Sequence, residues 1–274
     1  SGTQPMGQGI ATSYLQIFSE QLQIPVNQLQ VVQGDTDLVE GHGSVGSRSL
    51  FVGGNAILRG IEDFLEECKQ LAASELEASV EDLEYHQGNF QVKGTRVGIG
   101  IFDLCSRQSD NSISVKRKKE LTGRSWPNGC HVAEVEIDAE TGEVRLDRYV
   151  SVDDVGNTVN PMIVHGQVQG GIASGLGQAV LERTEYDASG QLLSGSYMDY
   201  ALPRADDMPS LSGSLFEKAP CLTNPLGAKG TGEIGAVASP PAIVHAVIDA
   251  LAEKGIAQVD MPLQPQKIWE CLNR

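Results

Sequence analysis

The chain has 274 residues, of which 40% are hydrophobic and 20% are charged, and its formal net charge is −16. A chain of this length can bury a sizeable core, and its strong negative charge argues against a nucleic-acid surface, because phosphates would be repelled. It contains no apolar run long enough to cross a bilayer, so we predict no membrane span.

The cysteines are scattered along the chain, and no two of them form a CxxC pair. This spacing argues against a zinc or iron–sulfur site built from this chain alone. An odd number of cysteines in a chain of this size predicts reduced thiols and a cytoplasmic location. The five residues are Cys68, Cys105, Cys130, Cys221 and Cys271.

The first predicted element is a helix that begins at Ile10, because apolar residues recur at helical spacing up to Pro25. The glycine-containing loop Met6–Gly9 precedes it. The free N–H groups at such a helix start suit an anion or an oxo group. A short strand is predicted over Leu29–Gln33.

A second glycine-rich loop, Gly41–Ser49, contains three glycines, three serines and one arginine. Serine hydroxyls, backbone N–H groups and a guanidinium are what a phosphate needs. Composition alone leaves two interpretations open, contact with an anionic ligand or a flexible linker. A long helix over Leu50–Ala78 is predicted directly after the loop.

A hairpin over Leu83–Val92 and a short helix over Ile101–Cys105 are predicted next. The polar stretch Gln108–Glu120 follows and contains the basic run Lys116–Lys119, which we interpret as a solvated loop. We place the internal boundary here and predict two subdomains, residues 1–125 and 126–274.

The second half opens with a predicted hairpin whose return strand runs from Val144 into Asp153 and Asp154. Two successive acids point to opposite sides of a strand, so a shared metal ion is improbable and we assign no metal ligand. A glycine-rich helix is predicted to start at Asn160-Pro161. Its glycines cost helix stability, which indicates close packing against either another helix or a flat ligand.

The last distinctive stretch is Lys229-Gly230-Thr231-Gly232-Glu233, which precedes a predicted helix over Ala236–Leu251. Glycines at this density allow unusual backbone angles and let another group approach the main chain. The stretch is either a solvated turn or a loop that aims one carboxylate. Alternating strands and helices with hairpins predict an α+β fold, with two related subdomains, mixed or antiparallel sheets and helices packed on one face.

Four of these motifs, in this order, resemble the molybdenum hydroxylases, the family of xanthine dehydrogenase and aldehyde oxidase. The similarity is to the C-terminal part of the large, molybdopterin-binding subunit and covers essentially the whole chain from Gly2. The four motifs are Met6-Gly7-Gln8-Gly9, Gly46-Ser47-Arg48-Ser49, Gly166-Gln167-Val168-Gln169-Gly170-Gly171 and Lys229-Gly230-Thr231-Gly232-Glu233.

The resemblance implies a role for each motif. Gln8, between Gly7 and Gly9, would hydrogen-bond an oxo ligand of the molybdenum. The second loop would wrap the pterin and the phosphates of a cytosine-dinucleotide cofactor, and Gln167 would contact the pterin. Gly230, Thr231 and Gly232 would hold the catalytic Glu233. The residues assigned to the second loop are Ser44, Gly46, Ser47, Arg48 and Ser49.

The resemblance also implies an activity, the oxidative hydroxylation of an N-heterocycle or aldehyde with water as the oxygen source and Glu233 as general base. Electrons would leave through 2Fe–2S and FAD centres on other domains or subunits. The N-terminal part of the large subunit would supply the other wall of the substrate pocket. We therefore expect a C-terminal segment or a split subunit that is inactive alone and binds cofactor weakly or not at all.

An alternative from a different class is a non-catalytic assembly or scaffold domain of the same fold. The choice among purine, nicotinate-like heterocycle, aldehyde and carbon monoxide as substrate also stays open.

Overall fold

The computed structural model describes residues 1–117 and 123–273. The chain forms two compact units. The first comprises Ser1–Ser125 together with Cys221–Ala228, and the second comprises Trp126–Pro220 together with Lys229–Arg274. Lys118 and Lys119 of the basic run lie outside the described residues, while Arg117 pairs with Asp63 on the surface of the first unit.

The first unit contains three helices and a small antiparallel sheet. Its helices are α1 (Ile10–Leu22), α2 (Asn55–Glu75) and α3 (Ile101–Ser106). Its strands pair in the order β1 (Leu83–His86), β2 (Asn89–Val92) and β3 (Gly98–Gly100). The buried side chains of α2, α3 and the sheet form one core that includes Cys68, Phe90 and Leu104.

Two local predictions in this unit need correction. Leu29–Gln33 is not a strand; instead the Val32 carbonyl accepts a hydrogen bond from the Ser1 ammonium, and the Gln33 side chain reaches Thr3. The predicted long helix starts with a wider π-helical turn, Leu50–Gly54, before α2 begins.

The second unit contains a mixed three-stranded sheet covered by helices. Strand β4 (Asn128–Ile137) pairs antiparallel with β5 (Val144–Asp154), and β5 pairs in parallel with β6 (Leu211–Leu215). Helix α4 (Pro161–Leu176) lies in sequence between β5 and β6. Helices α5 (Ile234–Ala250) and α6 (Pro265–Leu272) follow.

The core of this unit lies between one face of the sheet and these helices. Its fully buried members include Tyr149 from β5, Ile172 from α4 and Ile243 from α5. The predicted α+β fold, with one antiparallel and one mixed sheet, is confirmed. Among the described residues, no helix is both long and apolar enough to span a bilayer.

Candidate functional site

The two N-terminal glycine loops lie against each other in the first unit. The Ser44 hydroxyl donates to the Gln4 carbonyl oxygen at 2.7 Å and accepts from the Gln4 amide at 3.0 Å. Ser44 is buried, so this reciprocal pair is shielded from water. The Gly41–Ser49 segment is therefore attached to the N-terminal loop, which argues against a flexible linker.

Two further glycines make this contact possible. A Cβ placed on Gly41 would lie 2.0 Å from the Gly2 carbonyl oxygen, and one placed on Gly2 would lie 2.6 Å from the Glu40 carbonyl oxygen. The Gly43 amide also donates to Gly2 at 3.1 Å. The backbones of the two loops are in contact at Gly2 and Gly41, where any side chain would separate them. The composition of the loops did not reveal this need for glycine.

The side chain of Gln8 closes the first loop upon itself. Its Oε1 accepts from the Met6 amide at 2.6 Å, and its Nε2 donates to the Gln4 carbonyl at 2.8 Å and to Ser44 Oγ at 3.3 Å. Both Nε2 hydrogens have protein acceptors. To donate to a ligand, Gln8 must exchange one of these bonds, and the longer bond to Ser44 is the weaker of the two.

The second loop turns sharply at Gly46 and Ser47, both of which have left-handed backbone angles (φ 58° and 55°). The next residue, Arg48, is exposed. The Ser49 carbonyl accepts a hydrogen bond from the buried Tyr14 hydroxyl of α1 at 2.8 Å. The turn thus presents an arginine to solvent from a backbone that is fixed on both sides.

Two glycines of these loops, Gly7 and Gly46, face open space. A Cβ placed on Gly7 or on Gly46 would meet no atom within 4 Å. The nearby groups are neutral hydroxyls, amides and one guanidinium, which are suitable partners for phosphate and oxo oxygens.

In the second unit, the predicted glutamine motif lies on α4, which packs directly on α5. Gly171 faces Gly235, and Gly175 faces Ser239, so the two helices run parallel. A Cβ on Gly235 would lie 2.3 Å from the Val168 carbonyl oxygen and 2.6 Å from the Ile172 amide. These glycines serve helix packing.

The other glycines of α4 behave differently. A Cβ on Gly166 or Gly170 would meet no atom within 4 Å, and both residues are exposed. Helix packing therefore explains Gly171 and Gly175, whereas contact with a flat ligand stays a prediction for Gly166 and Gly170. Gln167, half-buried, stands beside the open pair.

Glu233 is the residue at which the glycine loop becomes helix α5. Its carbonyl accepts from the Val237 amide at 2.9 Å, and the Ile234 amide donates to Thr231 at 3.3 Å, so the last loop residues already belong to the first helical turn. Gly230 is buried and Glu233 is exposed. The carboxylate is thus carried on an ordered turn.

The other end of this loop is attached to the end of β5. Lys229 Nζ donates to Asp154 Oδ2 at 2.5 Å, and the Lys229 amide donates to the Val155 carbonyl at 2.7 Å. The side chains of Lys229 and Asp154 are only 10% and 13% exposed. Partial burial would raise the pKa of the Asp154 carboxyl, but hydrogen bonds from Lys229 and from the Gly156 amide outweigh it and hold the pKa below its usual value.

Asp153 points to the opposite side of β5 and joins a buried polar chain. His131 Nε2 lies 2.9 Å from Asp153 Oδ1, and His131 Nδ1 lies 2.9 Å from the Tyr149 hydroxyl. A Cβ on Gly129 would lie 2.6 Å from Asp153 Oδ1, so this glycine makes room for the carboxylate. Burial, and then the negative charge of Asp153, raise the pKa of Tyr149 well above its usual range.

The predicted residues therefore fall into two groups. Gln8 and Ser44 touch each other in the first unit, on the same pair of loops as Arg48. Gln167 and Glu233 lie near the contact of α4 and α5 in the second unit. The partners of Asp153 and Asp154 could not be assigned from the sequence, because a lysine or histidine many residues away carries no local signal of such pairing.

Comparison with known proteins shows the family of this chain. The family model described as the molybdopterin cofactor-binding domain matches residues 1–209. The chain belongs to this family. It is 34% identical to the 6-hydroxypseudooxynicotine dehydrogenase complex subunit gamma of Paenarthrobacter nicotinovorans, over 98% of this chain and 35% of the relative. It is 33% identical to the carbon monoxide dehydrogenase large chain of Hydrogenophaga pseudoflava, over 99% of this chain and 35% of the relative.

A solved structure agrees with these relatives. Quinoline 2-oxidoreductase from Pseudomonas putida 86 superposes on this chain with a TM-score of 0.88 and 32% identity. The match covers 99% of this chain and 36% of that protein. The resemblance to the large subunits of molybdenum hydroxylases is confirmed. This chain spans 35% of the length of each of the first two relatives.

Proposed function

We propose that this chain is the molybdopterin-binding segment of a molybdenum hydroxylase that hydroxylates an N-heterocycle or aldehyde with water as the oxygen source. The observation that carries the proposal is the exposed Glu233 on the ordered turn between a glycine loop and α5. Family membership supports it. The names of two relatives, a nicotine 6-hydroxylase large subunit and quinoline 2-oxidoreductase, favour an aromatic N-heterocycle as substrate.

The residues that would hold the cofactor lie on the glycine-containing motifs. Gln8, with Gly7 and Gly9, would approach the oxo end, and the second loop would enclose the pterin and the phosphates of a cytosine dinucleotide. Gln167 would contact the pterin beside the open glycines of α4. The second-loop residues are Ser44, Gly46, Ser47, Arg48 and Ser49. When bound, the molybdenum cofactor supplies two-electron redox chemistry and oxygen transfer.

The chain's own contribution to the reaction is a positioned base. Glu233 would take a proton from the water-derived nucleophile as its oxygen attacks an electron-poor carbon of the substrate. Gly230, Thr231 and Gly232 would hold the carboxylate at the site without adding bulky side chains. A carboxylate that performs general base catalysis contributes about 10²–10⁴ in rate.

The remaining parts of the reaction are assigned to partners. Electrons would leave through 2Fe–2S and FAD groups on other domains or subunits, and a preceding part of the large subunit would form the other wall of the substrate pocket. The relatives' names, which include a subunit gamma and a large chain, support a multi-subunit enzyme. The scattered thiols support a cytoplasmic location.

The substitution Glu233→Gln in the complete enzyme tests the proposal. It keeps the shape of the side chain and removes the base, so kcat should fall by about 10²-fold or more while molybdenum content stays at the wild-type level. Metal analysis and steady-state kinetics on the same preparation give both quantities.

Glu253→Gln is the matched control, because Glu253 is an exposed glutamate just beyond the other end of α5. It should leave kcat unchanged. Retained turnover in the Glu233 variant would refute the catalytic assignment and favour the alternative of a non-catalytic scaffold domain.

A further inference from the structure

The Glu233 loop is attached to the rest of its unit at each end. At the far end Glu233 begins α5, whose first turns pack on α4 through Gly171 and Gly235. At the near end, Lys229 is bound to the terminus of β5 by its side chain and by its main chain. Only three residues, Gly230, Thr231 and Gly232, lie between the two attachments.

Two of those three residues are glycines, which have the greatest backbone freedom of any residue type. A short glycine-rich segment keeps one conformation only if both of its ends are fixed. The α5 end is fixed by helix packing, so the conformation of the residues that lead into Glu233 depends on the attachment at Lys229.

The attachment at Lys229 is shielded from solvent, and each carboxylate oxygen of Asp154 accepts a hydrogen bond. Oδ2 accepts from Lys229 Nζ at 2.5 Å, and Oδ1 accepts from the Gly156 amide at 3.0 Å. Asp154 is thereby fixed to its own backbone, and the ion pair connects a fixed carboxylate to the loop. Charge-assisted hydrogen bonds are roughly twice as strong as neutral ones, and burial reduces their screening by salt.

The strand end that carries Asp154 is itself held in place. The neighbouring Asp153 is buried and bonded to His131, which is bonded in turn to Tyr149. These contacts join the last residues of β5 to β4 through side chains as well as through the strand ladder. The anchor of the loop therefore rests on a rigid part of the sheet.

We propose that Asp154 and Lys229 form a positioning pair that fixes the near end of the Glu233 loop and so sets the orientation of the carboxylate. The pair acts through Glu233 and does not itself touch substrate. This inference rests on the proposed function for its effect on turnover, but its effect on the order of the loop is independent of any reaction.

The test compares three variants of the complete enzyme. Lys229→Met removes the ammonium but leaves a shielded, unpaired carboxylate, which can destabilise the fold. The double variant Asp154→Asn with Lys229→Met removes both charges and keeps the side-chain volumes, so it isolates positioning from charge burial. Lys229→Arg keeps the charge and the carboxylate contact.

The double variant should lower kcat by about 10²-fold, because a small misplacement of a catalytic group has a cost of that size. KM and molybdenum content should stay at the wild-type level, and Lys229→Arg should keep most of the activity. Hydrogen–deuterium exchange gives a second readout. The amides of residues 230–234 should exchange faster in the double variant than in the wild type.

Arg145→Met is the matched control. Arg145 forms an ion pair with Glu136 between the same strands, β5 and β4, but both side chains are 66% exposed. This variant should change neither kcat nor amide exchange at residues 230–234. Wild-type exchange and kcat in the double variant would overturn the positioning role. Retained activity in Glu233→Gln would instead refute the proposed function, and the exchange data would still decide whether the pair orders the loop.

Discussion

The hydroxyl of Tyr14 connects three segments of the first unit. It lies 2.9 Å from Thr3 Oγ1 and donates to the Ser49 carbonyl at 2.8 Å, and the tyrosine is fully buried. Gly53 makes room for it, since a Cβ there would lie 1.9 Å from the hydroxyl oxygen. Tyr14 of α1 thus bonds both to the segment that precedes the first glycine loop and to the last residue of the second loop.

The substitution Tyr14→Phe tests this connection. It leaves the part-buried Ser49 carbonyl without its hydrogen-bond donor, so the free energy of unfolding should fall by about 1–3 kcal/mol. Tyr197→Phe is the control, because Tyr197 is 84% exposed. Chemical denaturation measures both variants, and equal stability of the two would contradict the proposed role of the Tyr14 hydroxyl.

At the scale of elements, the packing of α4 on α5 depends on glycines that face a neighbouring backbone. Gly235→Ala would place a methyl group 2.3 Å from the Val168 carbonyl oxygen, which neither helix can avoid without moving. We expect a loss of about 1–3 kcal/mol, the usual cost of overpacking.

The matched control is Gly166→Ala on α4, which meets no atom within 4 Å. It should stabilise the chain by about 0.5–1 kcal/mol, because alanine favours a helix. Opposite signs in thermal or chemical unfolding would confirm that the packed position Gly235 requires a glycine and the open position Gly166 does not, whereas equal effects would contradict it.

Elements with strong periodicity could be predicted from sequence, and those defined by distant partners could not. Helix α1 begins at Ile10 as expected, and the β4–β5 hairpin follows its alternating pattern. Leu29–Gln33 has the composition of a strand but bonds to Ser1 and Thr3 instead. A strand needs a partner backbone, and local composition does not provide one.

The candidate site shows the same limit. The glycine-rich loops and Glu233 could be found from composition and resemblance. The Asp154–Lys229 pair could not, because 75 positions separate its members. Similarly, Gly2 and Gly41 must both be glycines because a Cβ on either would clash with the backbone of the other segment. No spacing rule predicts this contact.

At the scale of the whole molecule, we predict that the isolated chain has no turnover and binds molybdenum at well below one atom per chain. The reason is that the chain covers only 35% of the length of its relatives, so the rest of a complete subunit is proposed to form part of the pocket. Metal analysis of the purified chain and an assay with an N-heterocyclic substrate would measure both. Stoichiometric molybdenum in the purified chain would contradict the prediction.

The first unit is not continuous in sequence, since Cys221–Ala228 packs with residues that precede position 126. The Asn224 side chain and the Leu226 amide both bond to the buried Asn55 amide group. A recombination event that exchanged residues 1–125 between two members of the family would therefore import Asn55 without the segment that matches it. The two segments of the first unit should therefore be inherited together or change in step, so we expect homologous exchange to succeed best when both segments come from the same parent.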